Sequence, residues 1–303
     1  MPELPDLTVY QERLLAFLAG RPLLGVRLLH PFLLRTVEPP LTAVVGRALR
    51  DVGRLGKRLV LSFDDDLHLV LHLMIAGRLR WKKPQAAAPG KIGLLALDYD
   101  HGTLLLTEAG SRKRASLHVV RGAAAVAELD RGGLEVLDVD RDTFARVLRS
   151  ENHTLKRSLT DPRLFSGIGN AYSDEILHRA RLSPLLLTGR IDDEQIERLH
   201  AATRTVLGEW TARLRAEVGD RFPDKVTAFH AAMAVHGRYR EPCPDCGAPV
   251  QRIRYARNEC NYCPTCQTGG RLLADRGLSR LLREDWPRTF EELEERVGKR
   301  AKG

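Results

Sequence analysis

Four cysteines late in the chain have the spacing of a metal site. Cys243 and Cys246 form one C-x-x-C pair, Cys263 and Cys266 form a second, and sixteen residues separate the two pairs. Each C-x-x-C turn directs two thiolates toward one point, and two such turns complete a tetrahedron around Zn²⁺. The sequence therefore predicts one structural zinc ion, and the alternating segment VQRIRY between the pairs predicts a β-hairpin.

Basic side chains on this predicted hairpin are suited to a polyanion. Arg252, Arg254 and Arg257 lie between the two cysteine pairs, where they can face phosphate groups. The alternative is a structural zinc ribbon with no contact to nucleic acid. The fifth cysteine, Cys260, precedes Cys263 by three residues, so a ligand set that uses it is the alternative, but the symmetric pairing of the other four favours Cys260 as a packed free thiol.

The start of the chain can supply a nucleophile. Pro2 follows the initiator methionine, and removal of that methionine would expose a secondary amine. An α-amino group titrates near pH 8, so part of it is neutral and nucleophilic under physiological conditions. Attack of such an amine on an aldehydic carbon gives an iminium ion, and Glu3 is placed to transfer protons. The alternative is a start sequence without a catalytic role, which composition alone would favour.

A glycine-containing turn is a candidate phosphate site. Gly167 and Gly169 precede Asn170, which opens the helical segment AYSDEILHRA. Glycines let the backbone approach a phosphate, and the N-terminus of the following helix supplies free N–H groups and a positive dipole. Asn170 can add a donor and Lys156 a charge. A tight turn between packed helices is the alternative.

The elements that would position these groups change character along the chain. Residues 7–19 have apolar side chains at helical spacing, and residues 22–122 contain short apolar runs broken by turns. The second pattern predicts a β-sandwich or barrel of roughly eight strands. From 141 to 217 the pattern is helical, and a further apolar helical stretch is predicted near Leu278–Leu282.

Composition limits the class of protein. The chain has 303 residues, 43% of them hydrophobic, and a net charge of +9, which favours a polyanionic partner. Since no apolar stretch approaches the length of a membrane span, no membrane partner is expected. The acidic, proline-containing start does not resemble a signal peptide, so we expect a cytoplasmic protein.

Taken together, the motifs resemble those of the formamidopyrimidine-DNA glycosylase and endonuclease VIII family. The start MPELPD looks like the family's PELPE signature, and residues 156–184 are similar to its helix–two-turn–helix motif. The cysteine spacing is similar to that of its zinc finger. The resemblance extends over residues 2–270, with the motifs in the expected order.

The resemblance implies an α+β protein. Its N-terminal helix and β-sandwich domain would be followed by a helix–two-turn–helix domain with a β-hairpin zinc finger, and damaged double-stranded DNA would lie in the cleft between the domains of a monomer. The expected boundaries are 1–125 for the catalytic domain, 126–145 for a linker, 146–240 for the helical domain, 241–270 for the finger and 271–303 for a C-terminal extension.

The resemblance also implies a reaction. Pro2 would form a Schiff base with C1′ of the damaged nucleotide, Glu3 would act as the acid and base, and Lys57 would contact phosphate beside the lesion. Base excision would be followed by β- and then δ-elimination, without an organic cofactor. Lys57 can alternatively be an ordinary lysine on the surface of a hairpin.

Further positions match family residues that hold DNA. Lys156, Gly169 and Asn170 correspond to the phosphate site, whereas Met74 and Arg112 correspond to residues that fill the gap left by the flipped nucleotide. Flipping is required because C1′ is hidden in the base stack. A core position is the alternative for Met74.

Two departures from the family pattern concern substrate choice. Arg114 stands where the family has an aromatic wedge, and Asn258 stands where the finger has an arginine, for which Arg254 or Arg257 can substitute. Asp6 replaces the usual glutamate of the start signature. With these departures, the resemblance implies an atypical member that acts as a glycosylase on oxidised or ring-opened bases. The alternatives are a catalytically idle damage binder and a zinc-ribbon transcription or recombination factor.

Overall fold

The computed structural model describes residues 1–224, 226, 229–255, 258–274, 287–289 and 292. Arg257 and the helix predicted near Leu278–Leu282 lie outside these residues. The described chain is α+β, as predicted, and divides into two compact units: Met1–Gly133 with Leu207–Thr227, and Leu134–Val206 with Ala228–Gly303. Residues 207–227, which the sequence analysis places in the helical domain, cluster with the first unit. The predicted domain boundaries stay a prediction.

Unit 1 begins with a helix and continues with eight strands. Helix α1 spans Leu4–Leu18 and buries Leu7, Tyr10, Leu14 and Leu18 on one face, which confirms the predicted amphipathic helix. The strands are β1 Gly25–Leu28, β2 Leu49–Leu55, β3 Arg58–Phe63, β4 Leu67–His72, β5 Gly77–Lys82, β6 Gly93–Tyr99, β7 Gly102–Glu108 and β8 Ser116–Arg121. A short helix, α2, covers Ala123–Ala127.

The eight strands form two antiparallel four-stranded sheets, as the sequence predicts for a β-sandwich. One has the order β1-β6-β7-β5 and the other β2-β3-β4-β8. Leucines from both sheets form the centre of the hydrophobic core with the apolar face of α1. Alternate side chains of a strand point to opposite faces, and β7 is buried along its whole length, so both of its faces are covered.

The register of the second sheet brings three loops to one end of the sheet, here called the sheet edge. Arg58 at the start of β3 pairs with His72 at the end of β4, which in turn pairs with Ser116 at the start of β8. The turn before β3, the turn after β4 and the loop before β8 therefore lie at the same end of the sheet. These segments carry the predicted DNA-contacting residues of this unit.

Unit 2 contains helices and a small hairpin. Its elements are α3 Arg141–Leu148, α4 Leu155–Thr160, α5 Asn170–Arg179, β9 Gln251–Tyr255, β10 Asn258–Tyr262 and α7 Pro264–Thr268, while the long helix α6, Asp193–Val218, contributes its first part. The hairpin β9–β10 is antiparallel, as predicted between the cysteine pairs. Among the described residues, no helix is both long and apolar enough to cross a bilayer.

Candidate active site, nucleic-acid interface and metal centre

The chain start is fixed by a reciprocal capping interaction. Glu3 is the N-cap of α1, and its backbone N–H donates to Asp6 Oδ2 at 2.9 Å, while its side chain caps the third residue of the helix. Both acidic residues are buried. Burial raises the pKa of Asp6 to about 7. By accepting from the Glu3 N–H, Asp6 positions the residue that follows the predicted nucleophile.

The amine of the chain start lies among the predicted catalytic groups. Burial lowers the pKa of the Met1 amino group, and Glu3, Arg78, Asp6 and Lys57 all act on it electrostatically. Burial also lowers the pKa of Lys57, whereas nearby Glu3 raises it.

Lys57 occupies a two-residue hairpin turn. Leu55 pairs with Arg58, so only Gly56 and Lys57 connect β2 to β3. Gly56 has φ +60°, a value that glycine adopts without steric cost. The turn holds Lys57 half-buried at the edge of the sheet.

Met74 lies in the turn between β4 and β5 and is half-exposed, so it is not a core methionine. Its φ is +53°, a strained conformation for a residue with a side chain. Its backbone N–H donates to His72 Nδ1 at 3.0 Å, and Gly77 permits the close return of the chain, because a Cβ there would lie 2.2 Å from Leu73 O. Such strain is typical of turns that present a functional side chain.

The loop before β8 is anchored by a buried carboxylate that the sequence analysis missed. Glu108 accepts hydrogen bonds from the backbone N–H of Arg114 at 2.9 Å and of Ala115 at 3.1 Å. Lys113 Nζ donates to Gly110 O at 3.0 Å and also contacts the backbone of Glu108. The loop therefore has a fixed shape, with Arg112 exposed at its tip.

Arg114 lines a basic pocket at this edge. Four arginines and one histidine line the pocket, together with two acidic side chains. The basic residues are Arg35, Arg58, Arg114, His118 and Arg131, and the acidic ones are Glu128 and Asp130. Arg58 donates to Leu129 O at 2.6 Å. Burial and the neighbouring Arg58, Lys57 and Arg131 lower the pKa of His72 to about 4, which keeps its ring neutral at pH 7. The edge is thus rich in positive charge, as a phosphate-facing surface requires.

In unit 2, Lys156 is held by three acceptors. Its Nζ lies 2.7 Å from Asn170 O, 2.8 Å from Ser173 Oγ and 2.5 Å from Asp174 Oδ1. An ammonium group has three donors, so the ion is fully coordinated by the first turn of α5. The structure brings Lys156 and Asn170 together, and their role as a phosphate pair stays a prediction.

Asp174, which the sequence analysis missed, is the centre of a buried polar network. Its Oδ1 atom accepts from Lys156 Nζ at 2.5 Å. Its Oδ2 atom lies 2.7 Å from His236 Nδ1 and accepts from the backbone N–H of Asn261 at 3.1 Å. Phe229, although largely exposed, stacks on the ring of His236 with centroids 5.7 Å apart. An aspartate followed by a glutamate within a helix signals only a polar face, so the sequence did not indicate this burial.

The N-terminus of α5 is tied to the hairpin. Gly169 is the N-cap, and Asn170 Nδ2 donates to Glu259 O in β10 at 2.8 Å. Arg254, exposed on β9, pairs in register with Glu259. The sequence predicted only a phosphate contact for Asn170. Its hydrogen bond to the hairpin could not be predicted, because the fold brings together residues that are 89 positions apart.

The four predicted metal ligands converge. Their Sγ atoms all lie within 4.8 Å of one another, with 3.9 Å between Cys243 and Cys266 and 3.4 Å between Cys246 and Cys263. Tetrahedral zinc with Zn–S bonds of about 2.3 Å needs sulfurs about 3.8 Å apart, so the cluster fits such an ion. Gly247, with φ +75°, lets the chain turn back after the first pair. Cys260 is buried outside the cluster, as expected.

Sequence comparisons place the chain among known repair proteins. The model of the formamidopyrimidine-DNA glycosylase N-terminal domain matches residues 1–118, and that of the H2TH domain matches residues 135–215. Formamidopyrimidine-DNA glycosylase of Thermus thermophilus is 32% identical over 284 residues, covering 89% of this chain and 100% of the relative. An uncharacterized formamidopyrimidine-DNA glycosylase-like protein of Mycobacterium tuberculosis is 41% identical over 151 residues, which are 50% of this chain and 94% of that protein.

Solved structures have the same fold. The complex between Lactococcus lactis Fpg and DNA containing an abasic site has a TM-score of 0.78 at 23% identity, covering 88% of this chain and 99% of that chain. A complex of inhibited LlFpg with DNA containing N7-benzyl-Fapy-dG has a TM-score of 0.79 at 25% identity, covering 88% and 100%.

The sandwich, the helix–two-turn–helix segment and the cysteine finger define an H2TH DNA glycosylase, a class that works in base excision repair. The chain belongs to the formamidopyrimidine-DNA glycosylase family. The resemblance predicted from the start signature and the cysteine spacing is thereby confirmed.

Proposed function

We propose that the protein is a bifunctional DNA glycosylase and abasic-site lyase that removes oxidised or ring-opened bases from double-stranded DNA. The observation that carries this proposal is the buried, capped position of Glu3 directly after Pro2, with the Met1 amine and Lys57 near enough to interact with it electrostatically. Family membership gives the reaction class, and this cluster gives the chain the groups that the reaction needs.

Removal of Met1 would turn Pro2 into a secondary amine next to Glu3. Attack of that amine on C1′ displaces the damaged base, and opening of the sugar ring leaves a cationic iminium. The iminium acidifies the C2′ protons, so loss of one of them expels the 3′ phosphate by β-elimination. Glu3 is the group we assign to the proton transfers, and Lys57 contributes positive charge near the phosphate.

The proposed DNA contacts lie in both units. In unit 1, Met74 and Arg112 are on two of the three loops at the sheet edge, where we place the gap in the duplex, beside the basic pocket that contains Arg114. In unit 2, the N-terminus of α5 and Arg254 supply phosphate contacts. One Zn²⁺ held by the four cysteines would fix the hairpin that carries Arg254.

Borohydride trapping on a duplex with one abasic site tests the reaction. Borohydride reduces an iminium to a stable amine, so the processed protein should become covalently attached to DNA. Pro2→Gly should give a much weaker cross-link, and a protein with a residual N-terminal extension should give none. A processed protein that binds the duplex without any cross-link would support the idle-binder alternative.

A panel of lesions in otherwise identical duplexes tests substrate class. Excision should be faster for ring-opened and oxidised bases than for an undamaged control, with strand cleavage visible by gel electrophoresis. Equal affinity for damaged and undamaged duplex, with a preference for one sequence, would instead support a transcription or recombination factor.

A further inference from the structure

A histidine of α5 lies against the first cysteine of the finger. His178 Nε2 is 3.3 Å from Cys243 Sγ, and each residue is only 3% exposed. The ring is also 4.0 Å from a carboxylate oxygen of Asp245, which lies within the first C-x-x-C turn. His178, Asp245 and Cys266 are close enough to form a polar cluster of their own at one side of the four thiols.

The direction of this contact follows from the chemistry of a metal-bound thiolate. A cysteine must be deprotonated to bind zinc, so its sulfur can only accept a hydrogen bond. The imidazole must then donate, with the proton on Nε2.

We propose that His178 is a positioning residue that donates an Nε2–H···S hydrogen bond to the metal-bound thiolate of Cys243. Four thiolates around one divalent cation carry a net negative charge, which hydrogen-bond donors offset. The cluster already receives one such donor, since Cys266 N–H points at Cys263 Sγ at 3.4 Å. His178 supplies the corresponding donor to the other cysteine pair.

The same contact joins α5 to the finger at a second point. Asn170, at the start of the helix, donates to Glu259 O in β10, and His178 lies in the last turn of the helix. The hairpin and the thiolate cluster are therefore held by opposite ends of one helix. The inference rests on the proposed occupancy of the cluster by zinc, and it is independent of the glycosylase reaction.

Metal release from the full-length, zinc-loaded protein tests the role of His178. His178→Phe fills the space without a donor, whereas His178→Gln keeps an N–H near the position of Nε2. Release to a chromophoric chelator should be about 10–100-fold faster for His178→Phe, as for the loss of other hydrogen bonds to metal ligands. His178→Gln should restore most of the wild-type rate.

A spectroscopic readout separates hydrogen bonding from simple packing. With Co²⁺ in place of zinc, the thiolate-to-metal charge-transfer band should shift in His178→Phe and return toward its original position in His178→Gln. The matched control is His200→Phe, because His200 is also buried in unit 2 but its Nε2 lies 3.0 Å from Val139 O. That variant should leave both the band and the release rate unchanged.

Wild-type release and an unshifted band in His178→Phe would overturn the proposal. X-ray absorption at the zinc edge offers a second check, with four sulfur neighbours expected. Three sulfurs and one nitrogen would make His178 a ligand and contradict its role as a donor to Cys243. A purified protein that binds neither zinc nor Co²⁺ would refute metal occupancy itself, while borohydride trapping would still report on the glycosylase.

Discussion

The side-chain amide of Asn170 donates a hydrogen bond of 2.8 Å to the backbone carbonyl oxygen of Glu259. Asn170 is the first residue of α5, and Glu259 lies in the second strand of the finger hairpin. A primary amide has two N–H donors, so this contact is compatible with a second one to phosphate. The residue thus connects the helix N-terminus to the hairpin that carries Arg254, one of the proposed phosphate contacts.

We expect Asn170→Ala to loosen the hairpin as well as to weaken DNA binding. Loss of one neutral hydrogen bond costs about 1 kcal/mol, so amide hydrogens of β10 should exchange faster by about fivefold. Hydrogen exchange measured by mass spectrometry checks this for residues 258–262. Asn152→Ala is the control, since Asn152 is exposed and accepts from Gly189 N–H. Unchanged exchange in Asn170→Ala would contradict the anchoring role.

The ion pair between Lys156 and Asp174 should be a strong determinant of stability. The side chain of Lys156 is 12% exposed and that of Asp174 is 0% exposed. Removing one partner of a buried pair leaves an uncompensated charge and costs about 3–5 kcal/mol. We therefore expect Lys156→Met to lower the denaturant midpoint substantially, in addition to any loss of DNA affinity.

The matched comparison for Lys156 is a surface pair in the same unit. Arg163 lies 2.7 Å from Asp161, but its side chain is 57% exposed. Exposed pairs contribute little to stability, so Arg163→Met should leave the denaturant midpoint nearly unchanged. Equal midpoints for the two variants would show that Lys156 is not needed to neutralise Asp174, for instance because His236 suffices.

The sequence predicts those parts of the fold that depend on local pattern. The helical spacing of Leu7, Tyr10 and Leu14 and the two C-x-x-C pairs each carry their signal within a few residues. The alternation of VQRIRY is likewise local, and the hairpin forms where it predicts. The cysteine cluster then follows, because two identical turns flank that hairpin.

Contacts between distant segments could not be predicted in this way. Asp174 is buried only because His236 and Asn261 pack against α5, and Glu108, although only six residues before Arg114, accepts its N–H only where the chain folds back after β7. Neither acidic residue differs in its local sequence from a solvated one. The partner of His178 is 65 positions away along the chain, which no periodicity reveals.

The turn that carries Met74 should depend on Gly77. A Cβ at this position would lie 2.2 Å from Leu73 O, a backbone atom that cannot move without opening the turn. Gly77→Ala should therefore destabilise the protein by about 2 kcal/mol or more and impair base excision, because Met74 loses its fixed position. Thermal unfolding and single-turnover excision measure the two effects.

Gly53→Ala is the control for this substitution. Gly53 is also in a strand, but a Cβ there meets only Val60 Cβ at 3.9 Å, an ordinary contact. Its unfolding temperature should remain close to that of the wild type. If Gly77→Ala behaves like Gly53→Ala, the turn has more freedom than the contact with Leu73 O implies.

Stability in acid should depend on His72. Burial and nearby cations lower its pKa in the folded protein from 6.5 to about 4. Between these values the unfolded chain binds more protons at this position, so the free energy of unfolding falls as the pH drops from 6.5 to 4. His72→Asn keeps an acceptor for Met74 N–H but does not titrate, so it should lose less stability over that window.

The free energies of unfolding of the wild type and His72→Asn should differ in their change with pH by at most roughly 3 kcal/mol, since one pKa unit corresponds to about 1.4 kcal/mol. Denaturant unfolding at pH 7.5, 6 and 4.5 measures it, with the two curves parallel above pH 7 and diverging below. Curves that stay parallel down to pH 4.5 would show that the ring of His72 is protonated as readily in the folded protein as in the unfolded chain.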